Sequence, residues 1–382
     1  MPFTKSLLSF FLVIGIIFFA SGFSTAQIDK SATQATKNLY SGLKTSASKG
    51  VIFGQQDALA YGLNADKSRW IGDEGRSDVK TVSGEHPALV GYDLGHLELD
   101  SANNLDGVPF TRIKEDIKKN YERGGVNTIS WHPNNPLDLS KTAWDKADFT
   151  IRKILSNQTN KENFEKTLDK LATFFLSLKD SKGEAIPVIF RPYHEHTGSW
   201  FWWGADHCTP EEYKQFWQFT VAYLQKTKKV HNLLIAYSTD NFKNKEHYLE
   251  RYPGDSFVDI LGFDTYHRNP PASDSAFISN AKRMTGTIRD LGKISGKPFA
   301  ITETGLEQLT EPNWWTHILQ PILENSGLSY VLVWRNGRPD HYYAPFEGND
   351  TAEDFKKLQQ SGNILLEKKV ASENLYGNPA RK

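Results

Sequence analysis

The sequence predicts an α/β protein folded as a single (β/α)8 barrel of the TIM type, with one extra helix before the first strand. Three observations point there: eight apolar runs of strand length, longer amphipathic stretches between them, and polar or aromatic residues gathered where the runs end.

The runs are Val51 to Gln56, Ala88 to Leu94, Val126 to His132, Ile186 to Glu195, Leu233 to Ser238, Val258 to Tyr266, Pro298 to Thr304 and Tyr330 to Arg335. Their apolar residues are mostly continuous, as expected for parallel strands covered on both faces. Between them lie helix candidates at Thr111 to Arg123, Lys161 to Lys179, Thr209 to Lys229, Ser273 to Leu291, Glu311 to Asn325 and Thr351 to Gln360. Thr209-Pro210-Glu211-Glu212 is a helix start, with a capping hydroxyl, an early proline and acids in the first turn. The extra helix, Asp29 to Ser48, is expected to pack outside the barrel or close its bottom. No linker and no internal repeat divides the chain, so residues 27–382 are read as one catalytic domain.

Lys5, the apolar run Leu7 to Phe23 and the small residues Ser24-Thr25-Ala26 have the composition of a secretory signal over residues 1–26. The alternative is an uncleaved anchor, since a run of about 17 apolar residues is near the lower limit for spanning a bilayer. The expected location is therefore secreted or periplasmic, with no membrane span once the signal is removed. Lys and Arg number 45 against 45 Asp and Glu, which leaves no surplus of positive charge for a nucleic-acid partner. One Cys excludes a disulfide framework within the chain, and a 38% hydrophobic share excludes a disordered one. A monomer is the default expectation.

Barrel chemistry sits where strands end and the following loops begin. Glu195 and Glu303 each follow an apolar run, on different strands, at positions facing the barrel mouth. Two carboxylates across a cleft can divide labour, one ionised as nucleophile and one kept protonated as acid, which is what glycoside hydrolysis requires. Roughly 5 Å between them gives retention through a covalent intermediate, and roughly 6.5 to 9.5 Å gives inversion. Each Glu is also readable as a buried ion-pair member, for instance with Arg191. The segment Trp200-Phe201-Trp202-Trp203 is too apolar for an ordinary surface loop. It suits the flat C–H faces of sugar rings, although two of these four rings could simply pack beneath the loop; Trp200 is the best contact candidate. His132, His194, His196 and His267 raise a metal centre as a rival, but an H-x-H metal pair belongs more naturally on the first strand, which here ends Phe53-Gly54-Gln55-Gln56. Neutral histidines can instead bond sugar hydroxyls. No metal and no cofactor is expected.

The segment Arg191-Pro-Tyr-His-Glu-His-Thr-Gly-Ser-Trp-Phe-Trp-Trp-Gly204 resembles the acid/base signature of glycoside hydrolase family 26, a family dominated by β-mannanases. Shorter matching pieces are Gly54-Gln55-Gln56, Gly91-Tyr92-Asp93, Ser130-Trp131-His132-Pro133, Gly262 to Tyr266, Ile301 to Gly305 and Val333-Trp334-Arg335. The resemblance implies a retaining hydrolase acting on β-1,4-mannosidic bonds of mannan, galactomannan or glucomannan. It implies Glu195 as general acid/base and Glu303 as nucleophile. His194 would contact substrate near the nucleophile, and Tyr266 would bond Glu303. His132 would bind sugar on the glycon side, Trp334 would lie under the reacting ring, Trp200 would stack on the leaving-group side, and Arg335 would reach the next glycon subsite. Asp264 would support the site. Alternatives are a related glycanase on mixed-linkage β-glucan or β-1,3-xylan, a mannobiose-releasing exo-type mannanase, and a carbohydrate-binding protein without turnover. Loops over 134–160 and Leu97 to Pro109, with Arg335 beside them, are expected to decide between internal and end-wise cutting.

Overall fold

The computed structural model describes residues 27–146 and 149–377; the expected signal segment lies outside them. All eight expected strands form, as β1 (Val51–Gln56), β2 (Leu89–Asp93), β3 (Val126–Trp131), β4 (Val188–Pro192), β5 (Leu233–Thr239), β6 (Ile260–His267), β7 (Phe299–Leu306) and β8 (Tyr330–Val333). Neighbours pair in parallel around the ring, and β1 closes it against β8, with Ile52 opposite Tyr330 and Gln55 opposite Val333. Nearly every strand residue is buried, because the barrel fills one face and helices cover the other. The (β/α)8 reading therefore holds. Among the described residues, no helix is long and apolar enough to cross a membrane.

The helices show why they pack as they do. In Phe110–Glu122 the buried residues Phe110, Ile113, Ile117 and Tyr121 recur at three- and four-residue steps, which makes one apolar stripe against the sheet. Helix Pro210–Ala222 starts with the expected cap. Thr209 Oγ1 accepts from the Glu212 N–H at 3.2 Å and Glu212 Oε2 accepts from the Thr209 N–H at 2.9 Å. The extra helix, Gln34–Ser46, closes the bottom. The Thr33 N–H donates to His231 O just before β5 at 2.9 Å, and Tyr40 Oη donates to Gly296 O just before β7 at 3.1 Å.

Four details depart from expectation. The helix expected to run through Lys229 is α-helical only to Ala222 and continues as a π-turn, Tyr223–Thr227. The one expected from Glu311 is a π-turn over Trp314–Leu319 followed by a short helix, Gln320–Leu323, where Pro321 lacks the N–H that an α-helical bond would use. A hairpin, Tyr61–Leu63 with Arg69–Ile71, follows β1, held by Asp78 through the Leu63 N–H at 2.9 Å and Trp70 Nε1 at 2.6 Å. A two-residue strand, Ile364–Leu365, adds to the start of β1.

Candidate active site

The expected fourth strand, drawn to Glu195, ends at Pro192 because the chain turns sharply there. Tyr193 and Glu195 adopt left-handed backbone angles, φ 47° and 53°, on either side of His194. Such residues cost of order 1–3 kcal/mol each and need surroundings that hold them. Here Tyr213 Oη donates to Tyr193 O at 2.8 Å, Trp203 Nε1 donates to His194 O at 2.8 Å, and the Glu195 N–H donates to Ser238 O on β5 at 3.0 Å. The turn lifts the Glu195 carboxyl over the barrel mouth.

The aromatic segment that follows divides as its composition suggested. Phe201, Trp202 and Trp203 are buried, and Trp200 alone is exposed, at 42%. A buried indole removes about 150–250 Å² from water, a gross gain of roughly 4–6 kcal/mol, so the two inner tryptophans anchor the loop. Trp200 folds back so that its Nε1 donates to Glu195 Oε2 at 2.8 Å. Gly198 permits this, since a Cβ there would lie 2.1 Å from the indole ring.

Glu303 stands on β7 beside a bulge. Phe263 on β6 faces Ile301, but the next residue, Asp264, faces Glu303, so Thr302 is the extra residue. Two consecutive β7 residues thereby join one polar cluster. Thr302 Oγ1 donates to Asp264 Oδ1 at 2.7 Å, and Ser238 Oγ donates to the same oxygen at 2.9 Å. The buried Arg191 guanidinium donates from Nη1 to Asp264 Oδ2 at 2.8 Å and from Nη2 to Glu303 Oε1. Tyr266 Oη donates to Glu303 Oε2 at 2.8 Å, and His194 Nε2 lies 4.0 Å from Glu303 Oε1. The ion-pair reading is thus correct for Glu303 and Arg191, while Glu195 pairs with no cation among the described residues. Groups of His194, Asp264 and Glu303 lie within 4.8 Å of one another, a spacing that also suits a metal ion. The positive charge that such a trio calls for is already supplied by Arg191.

The surroundings of the two glutamates differ, since Glu303 is bonded by the Arg191 guanidinium and Glu195 by no cation among the described residues. Burial, with the negative charges of Asp264, Glu303 and Asp240, holds the Glu195 carboxyl well above the usual carboxylate range. Burial pushes Asp264 up to about 7, with Arg191 opposing and Glu303 adding to the rise. Burial and the Arg191 charge hold His194 well below its ordinary value, so it is neutral. Burial opposes charge on His132 too, but Asp93 Oδ2 at 2.6 Å from its Nδ1 outweighs that and raises it.

Glu195, Glu303, His132, His194, Trp200, Tyr266 and Trp334 all line one cleft of about 800 Å³. Arg335 does not line it. Its Nη1 lies 2.7 Å from Asp106 Oδ1 and 3.2 Å from Tyr61 Oη, which ties β8 to the loop after β2. The loop after β3 joins the same loop through the Asn134 N–H, which donates to Glu98 Oε1 at 2.7 Å. The neighbours expected around Arg335 therefore meet. Sequence reasoning missed Trp144, which is 51% exposed, lines the cleft and stacks on His132 with centroids 5.2 Å apart and planes 12° apart. A tryptophan inside an otherwise polar loop was the available signal. Also missed were Asp240, Asn241, Arg268 and Asn280 on the opposite wall.

Comparison with known proteins agrees with this geometry. A mannan endo-1,4-beta-mannosidase from Bifidobacterium adolescentis is 32% identical over 92% of this chain, which spans only 36% of that longer protein. One from Bacillus subtilis is 29% identical over 77% of this chain and 78% of its own length. The solved structure of a GH26 beta-mannanase from Bacteroides ovatus is 43% identical, covers 91% of this chain and 98% of its own, and superposes with a TM-score of 0.85. Residues 28–303 match the sequence profile of glycosyl hydrolase family 26. With that profile running from the approach to the first helix through to Glu303, this protein belongs to glycosyl hydrolase family 26.

Proposed function

We propose that the protein is a retaining endo-β-1,4-mannanase that cuts mannan-type polysaccharide by two displacements. The observation that carries the reading is that Glu195, on the turn after β4, and Glu303, on β7, face one cleft with different charges beside them, carboxyls around Glu195 and the Arg191 guanidinium on Glu303. Glu303 has both oxygens engaged as acceptors, by Arg191 and Tyr266, and is aimed as the nucleophile. Glu195 holds its proton and can give it to the departing glycosidic oxygen as Glu303 attacks the anomeric carbon. The Glu195 carboxylate formed then takes a proton from water, whose oxygen releases the sugar from Glu303.

The remaining side chains bind and orient. Trp334 would lie under the reacting ring, with His132 and Trp144 on the glycon side and Trp200 beside the leaving sugar. His194, neutral and close to Glu303, would bond a hydroxyl near the nucleophile. Arg335, being paired with Asp106, would shape the glycon end rather than grip the sugar from inside the cleft. The mannanase names of the relatives support the substrate.

The test compares Glu195→Ala with the wild type on linear β-1,4-mannan and on an aryl β-mannoside with a good leaving group. Loss of about 10³-fold or more on mannan with much smaller loss on the aryl substrate is expected, because the aryl group departs without a proton. Equal losses on both would remove the acid role. Wild-type silence on mannan, with cleavage of mixed-linkage β-glucan or β-1,3-xylan, would overturn the mannan assignment and leave the mechanism.

A further inference from the structure

The wall of the cleft that continues around the rim from Glu195 is built by the loop after β5 and by the connection from β6 into helix Asp274–Ser295. Its side chains are tied to one another. Asn241 Oδ1 accepts from Thr265 Oγ1 at 2.9 Å and from Asn280 Nδ2 at 3.0 Å, which turns Asn241 Nδ2 toward Asp240 Oδ1 at 3.1 Å. Arg283 Nη2 fixes Asn280 from behind at 2.6 Å. The Asp240 N–H donates to Thr197 Oγ1 at 3.0 Å, so this wall is fastened to the loop that carries Glu195.

Two charged groups at this cleft wall are left with bonding capacity. Among the described residues, the Asp240 carboxyl accepts only from Asn241, through its side chain and its N–H, no cation lies within ion-pair distance of it, and Arg268 forms no ion pair; the Arg268 guanidinium lies 5.9 Å from the centre of the Tyr266 ring. The contrast with Arg335 is direct, since that cation is occupied by Asp106. Phe277 gives the trough an apolar surface. A carboxylate with lone pairs remaining accepts from hydroxyls, a guanidinium donates to them, and an apolar face receives ring C–H groups, which together suit a hexopyranose.

On the mechanism proposed above, the departing chain leaves past Glu195, and Trp200 stands beside its first ring. We propose that the Asp240–Arg268 trough is a second leaving-group subsite, which takes the next hexopyranose of the departing chain through its hydroxyls. The inference rests on the two-carboxylate mannanase reading and adds to it a site that selects substrates by length on the reducing-end side.

Mannopentaose labelled with ¹⁸O at its reducing end shows by mass spectrometry which bond was cut. It is digested by the wild type and by the variants Arg268→Ala, Arg268→Lys and Asp240→Asn. In Arg268→Ala and Asp240→Asn, the ratio of cuts leaving two or more sugars on the reducing-end side to cuts leaving one falls about tenfold, the loss of one charge-assisted hydrogen bond. Arg268→Lys keeps the charge and recovers part of the ratio. A folding defect, or an altered proton affinity at Glu195, scales all cuts alike and leaves the ratio unchanged. An unchanged ratio in both Arg268→Ala and Asp240→Asn therefore overturns the subsite whatever happens to the rates, while mannan activity in the wild type stands. A wild type that cleaves neither mannopentaose nor an aryl β-mannobioside overturns the mannanase reading and the subsite together.

Discussion

The indole Nε1 of Trp200 donates to Glu195 Oε2 at 2.8 Å, so a solvent-exposed aromatic is bonded to the carboxyl read as the acid. The bond favours the ionised form of Glu195, against the burial and the neighbouring negative charges that favour the protonated one. Trp200→Phe keeps an aromatic face and removes the donor. Glu195 should then hold its proton to higher pH, and the alkaline limb of kcat/KM should move upward. A pH profile on a soluble manno-oligosaccharide checks this.

Asp264→Asn should move the same limb the other way. Asp264 is among the charges that raise Glu195, and an amide keeps its shape without its charge. A neutral neighbour makes ionisation of Glu195 easier, so the protonated acid is lost at lower pH and the alkaline limb shifts downward. Opposite shifts in the two variants, measured in one buffer series, would tie both effects to Glu195; parallel shifts would contradict the assignment.

Arg191→Met should be costly to the fold as well as to turnover. Arg191 is buried between Asp264 and Glu303, and its loss leaves two buried carboxylates without a cation. Breaking a buried pair on one side typically costs about 3–5 kcal/mol. Urea denaturation at neutral pH should show a lower midpoint for Arg191→Met than for the wild type. The deficit should be larger at alkaline pH and shrink as the pH falls toward 7, because without Arg191 the buried Asp264 takes up its proton at a pH above the value of about 7 that it has beside that cation.

Gly198→Ala tests placement rather than chemistry. The added methyl would sit within the space of the Trp200 ring, so the indole must swing away and its bond to Glu195 must break. Misplacement by about 1 Å at an active site can cost up to about 100-fold in rate. A drop in kcat/KM of roughly 10-fold or more is expected, with a melting temperature near that of the wild type, because Trp202 and Trp203 continue to anchor the loop.

The barrel was legible in the sequence because strands covered on both faces leave long apolar runs, and both glutamates were legible because each ends such a run. What escaped notice depended on geometry that no run records. The left-handed angles at Tyr193 and Glu195 end β4 three residues before its expected close, although Tyr193 and Glu195 carry no glycine-like signal. The bulge that sets Thr302 and Glu303 on one cluster is a register event between strands. The resemblance put Arg335 at the next glycon subsite, but its ion pair with Asp106, a partner more than two hundred residues earlier in the chain, is a contact that no run records.

The helix at the bottom of the barrel bears on how the chain acquires its structure. Ile28, Thr33 and Tyr40, near the start, bond Asp259, His231 and Gly296, and Asn38 Nδ2 bonds Tyr376 O near the end of the described chain. None of these partners exists until about 200 or more further residues have been synthesised. Closure of β1 on β8 must wait as well. The earliest residues therefore stay unpaired while the middle strands assemble, and contacts of such long sequence separation are slow to form. A chain truncated before β8 would keep the floor bonds to His231, Asp259 and Gly296 but lose the Asn38–Tyr376 bond and the closure of β1 on β8, so its floor would sit beneath an open ring.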